Sequence, residues 1–202
     1  MGDDLATDWP ALLAAIVGRL ATHPDLADFS DELGPCSGLT PIAAAATGVN
    51  LPVGRYWSAA IGGDPLGDLA ARVTFALEQL GHGWRQNPNY RRQPPHPDFL
   101  ENYGYQEWLG PDAAYRAAHL RCGVLVLGPR TLYPAHHHPA EEVYLPLGPG
   151  RWCREGEGWR DRMAGEVIHH PPECGHATES GDKPLAAIYL WRGAIAKAAE
   201  IA

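Results

Sequence analysis

Six of the ten histidines lie between positions 136 and 176, and their neighbours give that clustering a chemical meaning. In YPAHHHPAEEVY, residues 133–144, side chains two apart on an extended chain point to one face. His136 and His138 therefore share a face, and His137 points away. Pro139-Ala140 makes a bend, after which Glu142 and Tyr144 share a face. If both faces turn inward, two imidazoles, one carboxylate and one phenol converge. His176, in GEVIHHPPECGHA, offers a further imidazole from a distant hairpin. Imidazoles with a single carboxylate suit a divalent first-row metal ion, and Zn, Fe, Mn, Ni and Cu are all compatible. Three adjacent histidines alone would equally describe a solvated surface. The carboxylate at a fixed offset and the distant histidine in its own segment are what favour a metal centre. His137, His169 and His170 read as structural or supporting residues, and Cys174 as a packed thiol.

Such a centre needs strands to hold it, and the second half of the chain supplies the pattern. Short β-rich runs fall at 119–127, 131–137, 142–147, 151–154, 166–170, 175–179 and 185–191, punctuated by Gly and Pro. Many short strands at this spacing predict an antiparallel sandwich or barrel. The first half reads as helical. Trp9, Leu12, Leu13, Ile16, Val17 and Leu20 line one helix face after Asp8-Trp9-Pro10, and Thr22-His23-Pro24 ends that helix. A second helix is expected from Asp64-Pro65 through Leu66, Leu69, Val73, Phe75, Leu77 and Leu80, capped by Asp64 and closed by Gly81 or Gly83. Pro41–Val49 is expected to add a short Ala-rich helix. Residues 83–104, rich in Pro, Asn and Arg, read as a connector or a lid over a binding site.

Whole-chain properties narrow the function. A net charge of -8 with pI ≈ 5.6 argues against an electrostatic nucleic-acid partner. No apolar run approaches the roughly 20 residues of a membrane span, so no membrane partner is expected. The start, MGDDLATDWP, is acidic where a signal peptide is basic. Cys36, Cys122, Cys153 and Cys174 form no CxxC pair. A cytoplasmic protein with free thiols is the expectation.

HxHxxxE ending at Glu142, followed by GxxxxxPxxxxH from Gly165 to His176, resembles the two cupin motifs. The resemblance implies a mainly β fold, a cupin (double-stranded β-helix, jelly-roll) barrel, with an N-terminal α-helical extension. The expected division is 1–104 for helical extension and linker, and 105–202 for the barrel. It also implies His136, His138, Glu142 and His176 as the ligands of one divalent transition-metal ion: Fe, Mn, Zn, Co or Ni. Two positions depart from the pattern, Pro149 in one Gly slot and Glu173 in another. Both concern turns rather than ligands.

The helical preface, YPAHxHPAEEVYLPL, the HHP before the last histidine and the closing PLAAIYLWRG are similar to the cupin-type dimethylsulfoniopropionate lyases. That resemblance implies β-elimination of dimethylsulfoniopropionate, a small zwitterion, to dimethyl sulfide and acrylate. It makes Tyr144 the general base and Tyr133 a second catalytic tyrosine, with Tyr133 and Trp191 lining the pocket. Tyr189 joins them as a substrate-binding candidate, since a sulfonium without hydrogen-bond donors is best met by aromatic faces. Trp57, Trp84 and Trp108 are further aromatic candidates from the preface or lid. The family also leaves a homodimer open. Other chemistries compete on this fold. They are a lyase-like enzyme with a different substrate, a non-haem iron dioxygenase, a sugar isomerase, and a metal-dependent sensor without turnover.

Overall fold

A computed structural model describes residues 8–42, 49–61, 68–80 and 83–202. The first expected helix forms as α1, Asp8–Leu20. Its stripe of Trp9, Leu12, Leu13, Ile16 and Leu20 is buried. A short helix α2, Ala27–Leu33, follows and buries Phe29 and Leu33. Trp57–Ala60 forms α3. The second expected helix is α4, Leu69–Leu80, and Gly83 beyond it takes a positive φ of 67°. Its expected start at Asp64, Pro65 and Leu66, the closing Gly81, and most of the Ala-rich segment after Pro41 lie outside the described residues.

The strands build two sheets. The first has six strands in the order β2-β1-β3-β10-β5-β8. These are β1 Tyr103–Gly110, β2 Tyr115–Arg116, β3 Leu120–Leu127, β5 Ala140–Pro146, β8 Ile168–His170 and β10 Leu185–Gly193. The second has five, in the order β11-β4-β9-β6-β7. These are β4 Leu132–His137, β6 Gly150–Arg154, β7 Gly158–Arg162, β9 His176–Glu179 and β11 Glu200–Ile201. From β3 onward the chain crosses back and forth between the sheets. That is the jelly-roll path of a cupin. All seven expected strands are present. β1, β2, β7 and β11 are additional.

The six-stranded sheet is buried on both faces, so its strands read as near-continuous apolar runs rather than alternations. One face carries Trp108, Cys122, Val124, Val126, Val143, Leu145, Ile188 and Leu190 and packs in one core with the residues of α1, α2 and α4. The other face carries Tyr103, Leu125, Leu127, Tyr144, Leu185 and Tyr189 and meets Tyr133 and Trp152 of the second sheet. The candidate site residues lie in that inter-sheet layer. Arg192 of β10 ties the helical layer to the sheet, bonding Glu141 at 2.5 Å, Glu32 at 3.0 Å and Asp28 at 3.1 Å.

Two backbone positions matter for the layer. A Cβ on Gly123 would lie 1.9 Å from the Gln106 carbonyl oxygen, so only glycine admits the irregular β1–β3 pairing beside Glu107. Glu173, in a slot where the cupin pattern favours glycine, takes a left-handed φ of 62°. Its amide donates to the His138 carbonyl at 2.9 Å and its carboxylate meets His137 Nδ1 at 3.0 Å.

Candidate metal centre and its cavity

Register brings the histidines together from both sheets. His136 pairs with His176 across β4 and β9. Glu142 pairs with His170 across β5 and β8, and with Trp191 across β5 and β10. His138 follows directly on β4, in the bend that leads to β5. All five ionisable residues are buried, Glu142 to 1% exposure.

His138, Glu142 and His176 form a compact group whose candidate ligand atoms all lie within 4.8 Å of one another. Glu142 Oε2 is 3.1 Å from His138 Nε2 and 3.0 Å from His176 Nε2. The far sides of these rings are committed. His138 Nδ1 lies 3.0 Å from the Ala140 carbonyl, and His176 Nδ1 lies 2.9 Å from the Cys174 carbonyl. A neutral imidazole has one N–H, and a carbonyl can only accept it. Each Nε2 is then a bare lone pair facing a carboxylate oxygen, and His176 Nε2 has no hydrogen-bond partner. Buried lone pairs set against each other fit a cation between them. Backbone carbonyls holding Nδ1 are also the usual way of presenting Nε2 to a metal. The donor set therefore suits a divalent ion.

Charges respond accordingly. When a proton on His138 Nε2 takes the cation's place, its charge and hydrogen bond outweigh the burial that alone would raise the Glu142 carboxyl, and hold it well below the usual carboxylate range. Burial lowers His138, yet Glu142 more than offsets this and leaves the ring raised.

The fourth expected ligand, His136, stands beside this group rather than in it. Its Nδ1 is 2.8 Å from the Pro134 carbonyl, and its ring centre is 4.1 Å from that of His176 and 6.3 Å from that of His138. It stacks on Tyr133 at 3.9 Å and 8°.

A cavity of about 270 Å³ opens beside the group. Glu142, Tyr144, Tyr133, Tyr189 and Trp191 all line it, together with Tyr103, Tyr105, Glu107 and Arg121. Trp191 also donates its indole N–H to Glu142 Oε1 at 2.6 Å and lies 4.0 Å from the His138 ring. The two oxygens of Glu142 thus have separate duties. Oε1 is pinned by the indole and Oε2 faces the imidazoles. Tyr133 shares a hydrogen bond of 3.0 Å with Tyr90 of α5, Pro88–Arg92. Trp108 is buried on the opposite sheet face, and Trp84 and Trp57 pack with it in that helical core rather than in the cavity.

Comparison with known proteins decides the lineage. The model of the dimethylsulfoniopropionate lyase family matches residues 40–187. The chain belongs to that family. The lyase DddQ of Ruegeria pomeroyi is 33% identical over 97 residues, 48% of this chain and 48% of that protein. The chain thus spans about half the length of that relative. The crystal structure of DddQ from the same organism superposes with a TM-score of 0.77 at 26% identity, covering 96% of this chain and 95% of that one. A second solved lyase structure, published with RdDddP and RnDddQII, gives a TM-score of 0.75 at 22% identity with full coverage of both chains, a likeness of fold.

For this family member, residues outside the expected set complete the cavity. Glu107 is fully buried and pairs with Arg121 at 2.7 Å and Arg85 at 3.4 Å. Tyr189 reaches the same carboxylate at 3.4 Å. The signal for β1 was present in YGYQEWL, where Tyr103, Tyr105 and Glu107 alternate. The segment 83–104 contributes α5, whose Asn87 caps the helix by accepting from the Asn89 amide at 2.9 Å. Asn87 and Pro88 line the cavity, and the Asn87 and Asn89 side chains both donate to the Ala199 carbonyl, at 3.0 and 3.1 Å. No helix among the described residues is long and apolar enough to cross a membrane.

Proposed function

We propose that this protein is a metal-dependent lyase that splits dimethylsulfoniopropionate into dimethyl sulfide and acrylate. The observation that carries the reading is one cavity shared by Glu142, Tyr144, Tyr133 and Trp191, in a chain of the lyase family. His138, Glu142 and His176 would hold the ion, with His136 as the adjoining imidazole. When bound, a divalent cation draws charge from the substrate carboxylate, which acidifies the neighbouring C–H, and favours phenolate over phenol.

Tyr144 is the base in this reading. Burial first, and the Glu142 charge second, push its hydroxyl well above the usual tyrosine range, so local positive charge is what would make it competent. Tyr144 takes the proton from the carbon next to the carboxylate. The electron pair forms the C=C bond, the C–S bond breaks, and its electrons leave on sulfur as neutral dimethyl sulfide. No acid is required for that leaving group. Trp191, Tyr189 and Tyr133 offer aromatic faces to the sulfonium. Tyr133 is the second catalytic candidate, held by its hydrogen bond to Tyr90 and its stack on His136.

The test is to load the purified chain with Fe, Mn, Zn, Co or Ni in turn, add dimethylsulfoniopropionate and quantify acrylate. The reading expects acrylate with at least one metal and its loss on chelation. No acrylate with any of the five would overturn it.

A further inference from the structure

His170 differs from every other histidine of the centre. His136, His138 and His176 each have Nδ1 held by a backbone carbonyl, at 2.8, 3.0 and 2.9 Å. His170 has neither ring nitrogen in a hydrogen bond, although the residue is only 1% exposed. A buried polar group left unpaired is costly, so an uncommitted donor at this depth calls for a role. Two contacts indicate which. Its ring stacks on His176 at 4.0 Å and 14°. Its Nδ1 lies 3.8 Å from Glu142 Oε2, the oxygen that also faces His138 and His176. Parallel stacking keeps the two imidazole planes apart. His170 is outside the compact group of candidate ligand atoms, so His138, Glu142 and His176 would hold an ion and His170 would act on that group rather than in it.

We infer that His170 is a positioning residue of the metal centre, fixing the His176 ring plane by stacking and supplying the N–H that orients the Glu142 carboxylate. The imidazoles of His138 and His176 have spent their single N–H groups on carbonyls. His170 is the ring in the cluster with an N–H still to give. The inference rests on the metal reading proposed above. It gives Glu142 two neighbours of different kinds: the Trp191 indole bonded to Oε1 at 2.6 Å and the His170 imidazole facing Oε2 from 3.8 Å. Partners of this kind typically change metal affinity by about 10–100-fold.

Cobalt(II) titration of the chelated protein tests it, read by dissociation constant and visible absorption spectrum. His170→Phe keeps a stacking ring and removes the nitrogens. It is expected to weaken cobalt binding about 10-fold or more and to shift the spectrum. His170→Asn restores an N–H near the Nδ1 position and is expected to recover most of the affinity. Unchanged affinity and spectrum in His170→Phe would overturn the inference, as would a loss in His170→Asn as large as in His170→Phe. If the Phe variant does not fold, His170→Met replaces it with the same two deciding results. Failure of the unmodified protein to bind cobalt, zinc or manganese at all would instead remove the metal reading on which the inference stands.

Discussion

Two buried carboxylates on the same sheet face, Glu107 and Glu142, are treated in opposite ways. Both line the cavity. Glu107 is neutralised by the protein itself, through Arg121 at 2.7 Å and Arg85 at 3.4 Å. Glu142 faces imidazoles whose N–H groups are committed to the carbonyls of Ala140 and Cys174. Burying a charge is costly unless it is paired, so the first carboxylate is complete within the chain while the second fits an added cation. Burial of a charged residue is thus a poor guide to function by itself. What distinguishes the candidate ligand carboxylate is the kind of partner around it.

This contrast can be broken at either end. The largest effect is expected from Glu142→Gln, which should lower elimination about 10³-fold or more by removing the charge that holds the ion. Tyr144→Phe should lower elimination about 10²–10⁴-fold while metal content by elemental analysis stays unchanged. Normal dimethyl sulfide release by that variant would remove Tyr144 as the base. Glu107→Gln should behave differently again. It leaves Arg121 and Arg85 without their counter-charge and should cost about 2–3 kcal/mol in urea unfolding, with metal content retained. Loss of metal in that variant would erase the distinction between the two ends. Trp191→Phe keeps the aromatic face but removes the 2.6 Å bond to Glu142 Oε1, and should weaken metal binding about 10-fold in the same titration.

A subtler difference lies in pH. The Glu107 end is paired with arginines, which stay charged across the working range. At the Glu142 end, burial pushes His170 down from 6.5 to about 4. Between those values the unfolded ring takes a proton that the folded ring refuses. His170 should therefore contribute a loss of stability to the chelated protein as pH falls from about 6.5 to about 4, opposite in sign to the raised His138, and this contribution should vanish in His170→Phe. The same dependence of unfolding midpoint on pH in His170→Phe as in the unmodified protein would contradict the assignment.

Much of this was legible in the sequence because periodicity and ligand spacing are local. Seven strands and the α1 stripe follow from two patterns, and Glu142 and Tyr144 share a face because they are two residues apart on β5. What escaped was non-local. Glu107 gains its partners only when β1 pairs with β3 and the connecting segment returns Arg85 to its side. The buried Tyr103–Tyr105–Glu107 strand was hidden behind a Pro- and Arg-rich stretch that reads as loop. His136 satisfies the spacing for a ligand, but its stack on Tyr133 sets it beside the compact three-residue group. His170 looked like a supporting residue in sequence. Only the register of β5 against β8 reveals that it faces Glu142.

The most direct measurement is metal stoichiometry after loading and desalting, made in parallel on the unmodified protein, Glu142→Gln and Glu107→Gln. One divalent ion per chain is expected in the unmodified protein and in Glu107→Gln, and close to none in Glu142→Gln. Equal occupancy in all three would contradict the claim that Glu142, with His138 and His176, is the carboxylate built to hold an ion.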